Sequence, residues 1–71
     1  MAPQTDKEVV RHIRREFALG RMQEKLSGYP LDETARQIGV GRITLWNWRN
    51  DVCWPERQNC LKLADFLGIR A

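Results

Sequence analysis

The sequence predicts an all-α protein, a compact domain of four to five helices. Apolar residues recur along most of the chain at a spacing of about 3.6 residues, the period of a helix. Residues that commonly begin or end helices separate these periodic stretches. No strand is predicted anywhere.

The length and composition indicate one soluble domain spanning residues 1–71, with residues 1–4 as a short flexible arm. Hydrophobic residues make up 42% and charged residues 30% of the 71 positions, as in ordinary globular domains. No apolar run approaches the roughly 20 residues that a membrane-spanning helix needs. The first residues lack the apolar segment of a secretory signal. We therefore expect a cytoplasmic protein with no membrane partner.

The first helical pattern covers residues 6–27. Thr5 and Glu8 have the spacing of a capping box, which predicts a helix start. Gly20 lies inside the pattern, where it costs roughly 1 kcal/mol relative to alanine. Either one long helix tolerates Gly20 or the helix bends there, and Gly28 ends it. The apolar positions of this stretch are Val10, Ile13, Phe17, Met22 and Leu26.

Residues 31–50 contain two short apolar periods separated by Gly39-Val40-Gly41. Pro30 suits the start of the first helix, and Gly39 ends it with the positive φ that a tight turn needs. Gly41 then acts as the N-cap of a helix over residues 42–49. The residues expected to be buried are Thr34, Ala35, Ile38, Leu45 and Trp48.

The last helical pattern follows a loop over residues 51–54. Pro55 is expected to open this helix and Gly68 to stop it. Its inner face is lined by Cys60, Leu63, Ala64 and Leu67, with Leu61 close by.

This order of features resembles the lambda-repressor and Cro-like family of helix-turn-helix DNA-binding proteins, over roughly residues 6–69. The resemblance rests on small Ala35, turn Gly39, aromatic Trp48, and Asn50 before a proline-opened helix. It implies the lambda-repressor-like fold and favours a single long first helix. Two positions depart from the family: Leu31 stands where a phosphate-binding Gln is common, and Thr34 replaces an aliphatic residue.

In that family the second helix of the motif lies in the major groove, so the resemblance implies base contacts from its start and outward face. Arg42 can pair with guanine and Asn47 with adenine, while Ile43 can meet a thymine methyl. Trp48 belongs to the core, whereas Trp46 points about 200° away and either contacts DNA or is packed by surface neighbours. The predicted base-contacting set is Gly41, Arg42, Ile43, Trp46 and Asn47.

Phosphate contacts are expected from the ends of the motif, and such contacts position a protein without reading sequence. The predicted set is Thr44, Arg49, Asn50, Arg57 and Gln37, with Arg36 a weaker candidate. The net charge of +3 and pI near 9.3 fit an anionic partner. One face of the first helix is also basic. Its charges are predicted to be solvated, and the alternative is that one or two of them face phosphate: Lys7, Arg11, Arg14, Arg15, Arg21 and Lys25.

The two cysteines predict neither a metal site nor catalysis. Cys53 and Cys60 are seven positions apart, which matches no common zinc spacing. Pairing either thiol with His12 as a catalytic dyad has no support, because no stretch is built to orient them. We expect Cys60 in the core, Cys53 in a loop, no cofactor and no enzymatic activity.

The predicted function is sequence-specific binding of double-stranded DNA by a transcriptional regulator, a repressor of phage, prophage or bacterial operon type. A homodimer on an inverted-repeat operator is expected, meeting through the last helix and the Cys53–Trp54 loop, with no small-molecule ligand. The alternative is a protein-interaction module, such as an antitoxin or adaptor, that keeps the helix-turn-helix as scaffold and uses Trp46 and Trp54 as anchors.

Overall fold

The computed structural model describes residues 5–69, and over that range it contains five α-helices and no strand. The helices are α1 (Asp6–Ala18), α2 (Arg21–Ser27), α3 (Leu31–Ile38), α4 (Arg42–Arg49) and α5 (Arg57–Leu67). The prediction of an all-α protein is confirmed, while the predicted arm at residues 1–4 lies outside the described residues. None of the described helices is long and apolar enough to cross a membrane.

Of the two alternatives for the first helical stretch, the single long helix that the resemblance favours is wrong, and the break at Gly20 is present. α1 ends at Ala18, and Gly20 adopts a left-handed conformation with φ of 77° before α2 begins. Phe17 and Met22 are both buried. On a straight helix these two side chains would point about 140° apart, so one core could not easily bury both. The turn at Gly20 brings them to the same side.

Side chains from both helices hold this turn. Arg21 Nε donates to Glu16 Oε2 at 3.0 Å. This hydrogen bond holds the pKa of the Glu16 carboxyl below its ordinary value. Burial opposes it, and the charges of Arg21, His12 and Lys25 add to the lowering. Gln23 Nε2 also donates to the Phe17 carbonyl oxygen at 3.0 Å. The direction of α2 is therefore fixed relative to α1.

The predicted cap of the first helix is present in a modified form. The Thr5 hydroxyl accepts from the Glu8 backbone N–H at 3.2 Å and donates to Glu8 Oε1 at 3.1 Å. In the usual capping box the glutamate accepts from the backbone N–H of the cap residue instead. Thr5 is confirmed as the N-cap.

The core forms where α1 packs on α5 and α2, where α3 packs on α4 and α5, and where α2 packs on α4. Every residue predicted for the first four helices is buried, together with Cys60, Leu63 and Ala64 of α5. Leu61 and Leu67 are only partly buried, and Val9 is a core residue that the pattern did not single out. Gly68 stops α5 with φ of 71°, as predicted.

Pro55 does not open α5, contrary to the prediction. The helix begins two residues later at Arg57, with Glu56 as its N-cap. Pro55 is buried, and its carbonyl oxygen accepts a hydrogen bond from the Cys60 thiol at 3.4 Å. The proline therefore packs under the start of the helix, and its carbonyl is used by a core side chain.

Gly39 and Gly41 provide a matched pair of substitutions for the turn between α3 and α4. Gly39 has φ of 91°, so Gly39→Val forces a β-branched residue into a left-handed conformation at a cost of roughly 1–3 kcal/mol. Gly41 has φ of −71°, and an added Cβ would lie 3.7 Å from Thr44 Oγ1, an ordinary contact. We expect Gly39→Val to lower the melting temperature by several degrees, and Gly41→Ser to leave it unchanged or raise it. Equal melting temperatures for the two variants in thermal denaturation would contradict the assignment of the turn.

Candidate nucleic-acid interface

α3 and α4 are joined by three residues, Gly39-Val40-Gly41. The backbone N–H groups of Gly39 and Val40 both donate to the Ala35 carbonyl oxygen, at 2.9 and 3.0 Å. These bonds satisfy a carbonyl that the end of a helix leaves open. Gly41 is the N-cap of α4 and offers no side chain, so the first turn of α4 has no side-chain cap. The short connection fixes α4 closely against α3.

α4 has an inner and an outer face that differ sharply in burial. Leu45 and Trp48 are each 1% exposed and pack in the core. Ile43 is 73% exposed and Trp46 is 48% exposed on the other side. The predicted separation of Trp48 from Trp46 is confirmed. Ile43 and Trp46 are three positions apart on the helix, so these two exposed apolar side chains are neighbours on the outer side of α4.

Arg42 begins α4 and forms an ion pair with the first turn of α3. Its Nε lies 3.0 Å from Asp32 Oδ1, and both side chains are about two-thirds exposed, at 68% and 66%. A pair this exposed contributes little to stability. Because guanidinium has five N–H donors, the terminal nitrogens of Arg42 stay available when Nε meets Asp32. Sequence reasoning did not identify Asp32 as a partner of Arg42.

Asn47 and Gly41 complete the predicted base-contacting set, beside Arg42, Ile43 and Trp46. Asn47 is half-buried at the far edge of the outer face, and its backbone carbonyl accepts from Val52 N–H at 2.9 Å. Gly41 is exposed ahead of Arg42. The five predicted base-contacting residues therefore lie together, on the first turn and the solvent-facing side of one helix.

The predicted phosphate-contacting residues are more dispersed. Thr44 and Arg49 are half-buried on the flanks of α4, while Asn50 Nδ2 donates to the Trp46 carbonyl at 2.8 Å. Gln37 lies on α3, where its Nε2 is 3.5 Å from Glu33 Oε1. Arg57 lies apart from α4, with its Nη2 3.9 Å from Asp6 Oδ2 at the start of α1. Of this set, Thr44 and Arg49 lie on α4 and Asn50 is its C-cap, whereas Gln37 and Arg57 lie on other helices.

Asp51 organises the loop after α4, a role that sequence reasoning missed. Its φ is 57°, in the left-handed region that aspartate tolerates better than most residues. Asp51 Oδ1 accepts from Gln23 Nε2 at 3.1 Å and from Trp54 Nε1 at 2.6 Å. The Trp54 ring also stacks on Phe17, with centroids 6.3 Å apart. Trp54 is thus held by its own chain, although the residue stays 46% exposed.

The two thiols lie in the environments predicted for them. Cys53 is exposed in the loop and Cys60 is buried. Burial raises the pKa of the Cys60 thiol, and the neighbouring Arg14 opposes that rise in part. Among residues 5–69, no group of three or more His, Cys, Asp or Glu side chains is arranged to hold a metal ion.

No family model, no curated protein and no solved structure matches this chain. The resemblance to lambda-repressor and Cro-like proteins therefore rests on the residues of this sequence alone.

Proposed function

We propose that this protein is a helix-turn-helix protein that binds double-stranded DNA in a sequence-specific manner, with α4 as the recognition helix. The observation that carries the proposal is the two-sided character of α4. Leu45 and Trp48 fix the helix in the core, and the opposite side presents Arg42, Ile43, Trp46 and Asn47 to solvent. A guanidinium, an amide and apolar groups are the side-chain groups that contact base edges in the major groove.

The proposed chemistry assigns separate tasks to the side chains of α4. Arg42 donates to guanine O6 and N7, and Asn47 pairs with adenine N6 and N7. Ile43 and Trp46 contact apolar edges such as a thymine methyl. Gly41 allows the backbone to approach the duplex closely, because it lacks a side chain. Thr44, Arg49 and Asn50 meet phosphates on either side of the groove and fix the position of the helix.

The biological role that we attach to this activity is transcriptional regulation, as a repressor of phage, prophage or bacterial operon type. The resemblance described above supports this role, and the basic pI near 9.3 is compatible with it. The alternative of a protein-interaction module retains one supporting observation, the exposed apolar pair Ile43 and Trp46. The bonds of Trp54 to Asp51 and its stacking on Phe17 weaken its role as a free anchor.

Selection of binding sites from a random DNA pool tests the proposal. We expect one short sequence to be enriched, and to remain bound at raised salt in a gel shift while random DNA dissociates. A protein that binds DNA only through its positive charge would enrich no sequence, and every duplex would dissociate at the same salt concentration. That result would refute sequence-specific binding and favour the protein-interaction alternative.

We further predict that two copies bind one inverted-repeat site. One recognition helix contacts only a few base pairs, which is too little to select a site among genomic competitors. The proposed contact surface combines α5 with the loop of Val52, Cys53 and Trp54, all three of which are exposed. The half-sites should lie roughly 34 Å apart, one turn of the duplex.

Sedimentation of the protein with a single palindromic duplex checks this prediction. Two chains per duplex are expected, and an isolated half-site should bind much more weakly. One chain per duplex at saturating protein, with full affinity for the half-site, would disprove the dimer.

A further inference from the structure

A basic cleft lies between α1 and α5, away from the recognition helix. It encloses about 310 Å³ and is lined by Lys7, Val10, Arg11, Arg14 and Arg57. We call these residues the α1–α5 cleft. Four of its five lining residues are cationic, and the fifth, Val10, is a buried apolar floor. The function proposed for α4 uses none of these residues, although Arg57 was predicted from the sequence to contact phosphate.

The cations of the cleft are largely uncompensated. Arg57 has an ion pair with Asp6 at 3.9 Å, a long contact between partly exposed groups. Within the part of the chain that the structure describes, Lys7 and Arg11 have no ion pair. Arg14 lies beside the Cys60 thiol, which is not an anionic partner while burial keeps it protonated. Four positive charges against the one carboxylate of Asp6 leave the opening with an excess of positive charge, which attracts an anion.

The shape of the charge pattern indicates a linear polyanion. Lys7, Arg11 and Arg14 lie at positions i, i+4 and i+7 on one side of α1, and they extend over about 10 Å of helix. Phosphates along one DNA strand advance by about 3.4 Å each along the duplex axis. The stripe therefore matches a few successive phosphates better than one compact ion. All four cationic residues are exposed, so they can reach an extended ligand without opening the fold.

The floor of the cleft offers no means of reading a base. Val10 has no hydrogen-bonding side chain, and lysine and arginine side chains on an open surface bind phosphate oxygens of any sequence. Neither α1 nor α5 packs on α4. A ligand in the cleft therefore meets elements separate from those that hold the recognition helix.

We propose that the α1–α5 cleft is a second, sequence-independent site for the phosphate backbone of DNA. The proposal takes its ligand class from the proposed function. It does not depend on α4 reading bases. Lys7, Arg11 and Arg14 form one wall and Arg57 the other, so a strand held between them is contacted by two helices that pack on each other. The site adds affinity to every DNA sequence equally and leaves the preference of α4 unchanged.

The test is the salt dependence of binding to a short duplex of random sequence. The double variant Lys7→Gln with Arg11→Gln removes two charges from the cleft and leaves Arg14 beside Cys60. Each phosphate contact contributes about 0.9 to the slope of log affinity against log salt, so the slope should flatten by about 1.8. Arg57→Gln, on the opposite wall, should flatten the slope by about 0.9.

The matched control is Arg15→Gln with Lys25→Gln, which removes the same net charge from exposed positions that do not line the cleft. Circular dichroism verifies that each variant keeps its helices. An equal change of slope in the control and the Lys7/Arg11 variant would overturn the proposal. An unchanged slope in the Lys7/Arg11 variant would also overturn it.

The same measurements separate this proposal from the function assigned to α4. If no sequence is enriched from a random pool but the cleft variants still flatten the slope, the phosphate site in the cleft is supported and base reading by α4 is refuted. If a sequence is enriched and the cleft variants behave as the control does, the cleft fails and base reading stands.

Discussion

Trp48→Ala is expected to cause the largest loss of stability of any single substitution considered for this protein. The side chain is 1% exposed and is the largest fully buried residue of the described chain. Truncating a buried tryptophan to alanine costs about 3–5 kcal/mol, because the apolar contacts are lost and a cavity remains. A folded chain has only about 0.05–0.15 kcal/mol of stability per residue, so 71 residues leave little reserve.

Thermal denaturation followed by circular dichroism measures this loss. Each kcal/mol lowers the melting temperature of a small domain by about 4–8 °C, so a fall of at least 12 °C, about 3 kcal/mol, is expected. Trp48→Phe should fall between the wild-type protein and Trp48→Ala, since it keeps much of the apolar volume.

Trp46→Ala is the matched control, two residues away on the same helix. Trp46 is 48% exposed, so its removal should cost clearly less stability than the removal of the fully buried Trp48. If Trp46 contacts DNA, the same variant should bind the preferred sequence more weakly. A loss of stability in Trp46→Ala as large as that in Trp48→Ala would mean that Trp46 is a packing residue, and would remove it from the proposed interface.

The sequence predicted the central part of the fold well, for a clear physical reason. Gly39 and Gly41 bracket a turn, and the apolar period restarts after it, so the limits of α4 were read directly from the residues. The first helix was predicted less well. Gly20 indicated a possible break, but the family resemblance favoured a continuous helix. On a continuous helix, Met22 and Leu26 would lie off the apolar stripe formed by Val10, Ile13 and Phe17. Their positions therefore indicate a break in the helix.

The parts of the candidate site that the sequence did not predict are contacts between separate elements. Nothing in the spacing of Asp32 and Arg42 along the sequence shows that Arg42 Nε lies 3.0 Å from Asp32 Oδ1. The sequence likewise does not show that Asp51 accepts hydrogen bonds from Gln23 on α2 and from Trp54 in the following loop. For the α1–α5 cleft, the sequence alone predicts that Lys7, Arg11 and Arg14 lie on one side of the first helix, because of their helical spacing. The addition of Arg57 depends on how α5 packs on α1.

Arg42 is the residue on which sequence specificity is expected to depend most. Its Nε contacts Asp32 at 3.0 Å, which holds the guanidinium at the start of α4. The terminal nitrogens can then form two parallel hydrogen bonds to guanine O6 and N7, the commonest specific contact in protein–DNA complexes. Removing such a pair affects one base pair and leaves most phosphate contacts in place.

Arg42→Ala should therefore lose about 1–3 kcal/mol on the preferred sequence and relax discrimination mainly at one position. Binding of random DNA should change far less. Arg57→Ala serves as the comparison, because a lost phosphate contact should weaken binding to all sequences and flatten the salt dependence. The measurement is the affinity of each variant for the preferred duplex and for single-base-pair substitutions of it. A uniform loss in Arg42→Ala across every duplex would show that Arg42 contacts phosphate, and a different residue of α4 would then have to read the base.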